Sequence, residues 1–190
     1  MRPPKPFREM SEAGRRCLAW WLDARAASGR LPGRRHFDPT EFGRLLPYFF
    51  LTDVATGPRF TFRLAGGYFT ETWRTAIAGM PVDESTFGVR WPSAFAAYSE
   101  TAASGEPVLT TERVRIAPWP DFEYRILLLP LAADGRQVDT ILGAFDGDAR
   151  AGAFMENCDM PSRDDWILVA SRRLGDSEMA MLLEGPSRGS

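Results

Sequence analysis

Few side chains in this 190-residue chain can carry covalent or metal chemistry, and their spacing keeps them apart. His36 is the only histidine, so a Ser-His or Cys-His pair, a His-rich zinc site or a phosphorelay would each depend on that one residue. It stands between Arg35 and Phe37 in a connector, where a surface or packing role is expected. Cys17 and Cys158 form no CxxC and no metal-ligating spacing. The stretch FDGDARAG at 145–152 resembles a calcium loop superficially. Arg150 and Asn157 occupy the places of its third oxygen ligand and closing Glu, so a strand-end turn is expected. Asp121 and Glu123 are neighbours in a predicted turn and strand, with nothing to make them converge as acid and base. The reading at this level is no catalytic residue, no metal site, no cofactor and no enzyme.

One further motif invites a chemical reading. RFTFRLAGGYFTETW, residues 59–73, places Gly66-Gly67 between an alternating run and a helix-like run, which is the outline of a phosphate-cradling turn. No GK[ST] or GxGxxG follows, so the expectation is a sharp corner between a strand and a helix.

The elements that would position any site follow from periodicity. Ser11 is the expected N-cap of a helix carrying Cys17, Trp20, Trp21, Ala24 and Ala27 at steps of three and four, with Gly29 as its stop. That Trp-bearing stripe either docks on its own domain or forms a dimer seam through Cys17, Trp20, Trp21 and Ala24. Asp38 before Pro39 caps a short helix that Pro47 should end. Residues 48–54 and 59–64 read as adjacent antiparallel strands, the second with Phe60, Phe62 and Leu64 on one face. A short helix over 67–76 and a clear one over 91–105, stopped by Gly105, precede three more strands at 108–116, 123–131 and 138–146. The turns APWPD and AADGR suit hairpins between those strands. The stretch 165–174 fits a strand or a docked helix, and the last residues should fray.

Composition narrows the classes. With 44% hydrophobic residues the chain can bury one substantial core and is short for two. Lys+Arg of 23 against Asp+Glu of 25 gives a net charge of -2, so no global field attracts a polyanion and nucleic acid is not an expected partner. Lys5 is the only lysine. No apolar run approaches the roughly 18 residues of a membrane span, and the N-terminus lacks an apolar segment behind its basic residues. A cytoplasmic protein without membrane contact is expected, and the sparse cysteines agree.

The order of elements, with WWLDAR, LPGRRHFDP, LLPYFFLTDV, RFTFRLAGG, AGMPVDE and SGEPV in series, resembles the PAS domain superfamily. Within it, the text is similar to a bacterial family of stand-alone PAS-like proteins with an LPxRxxFDP…LLP start. The likeness runs from about residue 15 to about residue 147, and the chain departs from the pattern at Gly67 and Met80. The resemblance implies an α+β fold: a five-stranded antiparallel sheet with helices on one face and an added N-terminal helix. Boundaries follow at 1–30 for the N-terminal extension and helix, 31–147 for the PAS-like domain, and 148–190 for a partly disordered C-terminal extension.

The resemblance also implies a cavity between the sheet and the helices. Phe62, Phe69, Trp73, Trp91, Phe95, Tyr98 and Tyr124 fall on the elements that would enclose it, and Arg63, Arg113 and Arg115 would supply charge to an anionic ligand if they point inward. Haem ligation of the PAS kind would need a histidine within 91–105, and flavin photochemistry a cysteine in the helical segment; the chain has neither. The expected function is a non-enzymatic sensory or regulatory module that binds a small molecule, a protein partner or both, and signals by contact. The alternative is a ligand-free structural interaction protein, a homodimer through the Trp-rich helix.

Overall fold

The computed structural model describes residues 10–73, 76–114, 122–146 and 166–184. Helix α1 (Glu12–Ser28) begins where Ser11 accepts a hydrogen bond from the Gly14 N–H at 3.1 Å, and ends at Gly29, whose φ of 64° is the left-handed turn a side chain would resist. One-turn 3-10 segments follow at Arg34–His36 and Pro39–Glu41, the latter capped by Asp38 as its sequence requires. A third, Gly43–Tyr48, contains Pro47 rather than stopping at it. Strands β1 (Phe49–Ala55) and β2 (Arg59–Ala65), helices α2 (Gly67–Trp73), α3 (Glu84–Phe87) and α4 (Trp91–Ser104), then β3 (Val108–Val114), β4 (Phe122–Leu131) and β5 (Thr140–Asp146) complete the expected series.

The sheet runs β2-β1-β5-β4-β3-β6, every pair antiparallel. Its sixth strand, β6 (Trp166–Arg173), lies beyond the five that the sequence predicts, pairs along β3, and leads into helix α5 (Asp176–Glu184). A strand there could not be told from a helix by periodicity; the unpaired edge of β3 decides it, because a strand on that edge satisfies a row of backbone groups.

Both faces of β4 are buried, which is why its ILLLPL reads as a continuous apolar run rather than an alternation. Ile126 and Leu128 face the core under α2, α3 and α4. Leu127, Leu129 and Leu131 face a second core under α1 and α5. The helical cover is therefore two-sided. Cys17, Leu18 and Trp21 are fully buried in that second core, and the Trp21 indole donates from Nε1 to the Pro130 carbonyl at 2.8 Å. Trp20 packs edge-on against Phe37 at 5.1 Å and Phe42 at 6.4 Å. Of the two readings of the stripe, docking within its own domain accounts for Cys17 and Trp21, while Trp20 is half-buried. A second copy cannot reach Cys17 or Trp21, and Ala24 is half-buried beside them.

Two backbone positions depend on a missing Cβ. At Gly66 a Cβ would lie 2.3 Å from the Pro47 carbonyl oxygen and 2.5 Å from that of Leu46, whereas at Gly67 the nearest atom is 3.8 Å away. Gly66 is the corner, and Gly67 opens α2. In β5, Gly143 leaves the space into which the Phe50 ring inserts, since a Cβ there would meet that ring at 1.9 Å.

Candidate functional site

The cavity lies between the inner face of the sheet and helices α2 to α4. Its walls are mainly apolar, from Phe50, Phe62, Phe69, Ile77, Phe87 and Leu128 among others, with Tyr98, Thr110 and Glu112 adding polar atoms. The open space amounts to about 20 Å³. One water needs roughly 10–15 Å³ measured the same way, so the space accommodates a single water-sized guest.

The polar edge of this cavity is a buried charged cluster. Chain reversal at Gly88, with φ of 57°, carries Arg90 inward just before α4, and its guanidinium lies over the Phe87 ring at 4.9 Å. Arg90 Nη1 is paired with Glu112 Oε2; the two side chains are 8% and 6% exposed. Glu112 sits on β3 directly opposite Tyr124 on β4, and the Tyr124 hydroxyl donates to the same Oε2 at 2.6 Å. A buried ion pair of this kind survives because each partner answers the other's charge; one partner without the other would be costly. Burial pushes the Tyr124 hydroxyl well above its ordinary pKa, and the Glu112 charge adds to the effect. Burial raises Tyr98 in the same way, opposed by the adjacent Thr52 hydroxyl. For Arg90, burial pulls downward, but Glu112 and Tyr124 outweigh it and hold the group above its usual value.

A second polar junction joins the sheet to α1 on the other side. Asp146, fully buried at the end of β5, pairs with Arg125 at 2.7 Å and accepts the Ser11 N–H at the mouth of α1. Gly14 packs directly against that carboxylate, so a Cβ there would fall 2.9 Å from Asp146 Oδ1. Burial raises the Asp146 pKa, with Arg125 and the Ser11 N–H pulling the other way. The two junctions are adjacent in the fold, since Tyr124 stacks on Phe145 at 4.9 Å, one residue before Asp146.

The residues singled out in the sequence divide cleanly. Phe62, Phe69 and Tyr98 line the cavity, and Tyr124 reaches it through Glu112. Trp91 and Phe95 pack against each other at 5.8 Å, half-buried at the margin of the inner core, with Phe95 also against Phe60. Arg63 and Arg113 do not point inward. Arg63 pairs with Asp53 at 3.3 Å on the outer surface, and Arg113 pairs with Glu123 at 2.8 Å on the face opposite Glu112. Strand alternation explains Arg113: Thr110 and Glu112 face the cavity, so the odd positions face away. The side chain of Trp73, together with Arg115, Asp121, Arg150, Asn157 and Cys158, lies outside the described residues.

Leu64 also departs from expectation. The register passes from Leu51↔Leu64 to Thr52↔Phe62, so Arg63 is an extra residue in β2. This bulge resets the parity, leaving Phe60 and Phe62 buried and Leu64 54% exposed on the outer face. His36 accepts the Gly33 N–H at Nδ1 at 3.0 Å and serves its own turn. Among the described residues no group of His, Cys, Asp and Glu is placed to hold a metal ion, and no helix is long and apolar enough to cross a membrane.

The residues missed from sequence were Arg90 and Glu112, the charged pair itself. Arg90 was hidden because GVRWP reads as a loop. Glu112 would have followed from Tyr124, its cross-strand partner, had the register of β3 on β4 been known. The connection at 115–121 does not specify that register.

A mostly apolar cavity, closed by small helices over one face of an antiparallel sheet in the order 2-1-5-4-3, defines a class of α+β cavity domains. The PAS domain family profile matches residues 9–146, and the chain belongs to that family. Solved structures similar to it include a Rhodobacter sphaeroides LOV protein, at 18% identity over 62% of this chain and 72% of that one with a TM-score of 0.41. A light-oxygen-voltage domain studied with a flavin analogue gives 20% identity over 62% and 90%, with a TM-score of 0.39. An RNA-binding light-oxygen-voltage receptor gives 19% identity over 66% of this chain and 38% of that one, with a TM-score of 0.37. A comparison with curated proteins gives no match.

Proposed function

We propose that this PAS domain is a regulatory module that turns over no substrate and reports its state by protein contact. The observation that carries the reading is the nearly filled interior. Phe50, Phe62, Phe69, Phe87 and Tyr98 fill the space a cofactor would take, and about 20 Å³ remains. A flavin does not fit such a space, and Cys17 is in the core on the opposite face of the sheet.

The arrangement of polar groups supports a contact-driven role. Arg90 at the start of α4, Glu112 on β3 and Tyr124 on β4 tie the helical cover to the sheet. Phe145 and Asp146 continue the contacts to Ser11 at the start of α1. Moving α4 away from the sheet would part the buried Arg90–Glu112 pair and hydrate both charges, so the position of the cover and the state of the pair change together. A partner that binds either helix more tightly in one state shifts that balance.

The mass of the intact protein under native conditions, with its visible absorbance, tests the reading. The expected result is the bare polypeptide mass and no visible band; a stoichiometric bound chromophore or metabolite would overturn it. A bound metabolite would favour a second reading, a small-molecule sensor. That reading draws support from the chemistry of the lining, apolar walls with one carboxylate, which suits an apolar ligand bearing a hydrogen-bond donor.

A further inference from the structure

Helices α1 and α4 cover opposite faces of the sheet but finish at the same end of the molecule, where three turns meet on glycine. Helix α1 stops at Gly29 with φ of 64°, α4 at Gly105 with φ of 66°, and the β4–β5 hairpin turns at Gly135 with φ of 75°. Beyond α1 the chain crosses to that hairpin, where the Leu31 N–H donates to the Gly135 carbonyl at 3.2 Å. A Cβ at Gly135 would lie 3.1 Å from the Arg30 side chain, and one at Gly105 would lie 3.5 Å from Leu31 Cδ1, so the three turns pack on one another. Between them is an open, mainly polar cleft of about 530 Å³. That size is within the roughly 300–1,000 Å³ of small-molecule sites, and the lining suits a polar occupant.

The charged side chains lining the cleft are Arg25, Arg30, Glu106 and Arg136. Arg25 and Glu106 answer each other, because the guanidinium meets both carboxylate oxygens at 2.8 and 2.9 Å and rests over the Trp21 ring at 5.0 Å. Arg30 and Arg136 are exposed and have no ion pair among the described residues. The acids of the hairpin are turned to its own backbone: Asp134 Oδ1 accepts the Arg136 and Gln137 N–H groups, each at 2.8 Å, and Asp139 accepts the Ala133 N–H at 2.6 Å. Arg30 lies against Gly135, one residue from Arg136, so the two guanidinium groups start from one wall of the cleft. Another wall is the last turn of α4, including Ala102 and Ala103, whose carbonyls lie beyond intrahelical bonding and carry the partial negative charge of a helix end. A simple anion would suit the first wall and be opposed by the second. A molecule bearing both charges satisfies the two together.

We propose that this cleft binds a small acidic amino acid or a zwitterion of the same kind, with its carboxylates on Arg30 and Arg136 and its ammonium against the carbonyl end of α4. Such an occupant touches α1, the hairpin and α4 at once, so it ties together helices that cover opposite faces of the sheet. The site lies outside the interior cavity and goes beyond the contact role proposed above. Because the cleft is open, its ligand exchanges with solvent and is lost on purification, which leaves the expected bare polypeptide mass unchanged.

Isothermal titration calorimetry of the full chain with L-glutamate as the probe, at low ionic strength to limit screening, tests this. The expected result is one-to-one binding that Arg30→Gln and Arg136→Gln each weaken about tenfold or more. Glutarate, which keeps both carboxylates and lacks the ammonium, should bind about tenfold more weakly than glutamate. Both arginines are exposed, so the variants should fold as the wild type does, and circular dichroism checks this. Arg34→Gln with Arg35→Gln removes exposed positive charge outside the cleft and should leave the affinity unchanged. Absence of glutamate binding in the millimolar range, equal binding of glutarate, or the same loss in the Arg34 and Arg35 variant would overturn the proposal. A metabolite held in the interior would be insensitive to Arg30→Gln and Arg136→Gln, so the two readings fail separately.

Discussion

The Tyr124 hydroxyl and the Arg90 guanidinium meet on one oxygen of Glu112, with the tyrosine at 2.6 Å from Oε2. Three elements distant in sequence, the approach to α4, β3 and β4, are pinned at that atom. Replacing Glu112 by Leu keeps the bulk but removes the carboxylate that faces the buried Arg90 charge, and a loss of about 3–5 kcal/mol is expected in chemical denaturation. Converting the whole cluster, with Arg90→Met and Tyr124→Phe added, should cost much less than the single change. Equal losses for both proteins would contradict the assignment of the cluster as a mutually dependent unit.

Alkaline titration separates the buried tyrosines from exposed ones. Tyr98 and Tyr124 both have pKa values raised above 10.0 in the folded protein, so their protons stay on while the unfolded chain would release them. Their contribution to stability is therefore fully present below pH 10 and is lost as pH rises beyond it. Each should add about 1.4 kcal/mol per pH unit to the downward slope. Denaturant midpoints measured on Tyr98→Phe and Tyr124→Phe should each show that slope reduced by one such increment.

Cys17 offers a probe of the α1 docking. It is fully exposure-free, and burial pushes its thiol above the ordinary 9.0. A thiol reagent should label it at the rate at which α1 leaves the sheet or the protein unfolds. Trp21→Ala, which removes the indole and its bond to Pro130, should cost about 3–5 kcal/mol and accelerate that labelling. Immediate labelling of Cys17 in native protein carrying Cys158→Ser would mean that α1 is not docked.

The glycine pair should respond asymmetrically. Gly66→Ala puts a methyl 2.3 Å from a backbone oxygen, which cannot step aside as a side chain can, so a loss of about 1–3 kcal/mol or more is expected. Gly67→Ala has open space and a helical position, and thermal melting should show it near neutral or slightly stabilised. Comparable losses would remove the distinction between corner and helix start.

Much of the fold was legible because its signals are local. Ser11, Gly29 and Gly105 mark helix ends by chemistry that depends on the nearest few residues, and each is found in that role. Asp38 before Pro39 caps its turn for the same reason. The cavity residues Phe62, Phe69 and Tyr98 could be named because the resemblance implied a cavity and each ring lies on an element that would enclose it. Leu64 was misplaced where that period breaks, since one extra residue in β2 is invisible until the partner strand is known. Arg63 and Arg113 were candidates by charge, and the pairing that turns them outward is a property of neighbouring strands.

By itself the sequence determined the type and order of the elements through β5 and their caps and corners, because these rest on periodicity and short-range backbone chemistry, while its series of short motifs carried the resemblance to the family. The tertiary structure decided that β6 extends the sheet, that the Trp21 stripe is internal, and that Arg90 meets Glu112 inside a cavity with room for one water. Those outcomes depend on register and on which faces meet across long sequence separations. A register shift of one residue exchanges the two faces of a strand while leaving its local pattern unchanged.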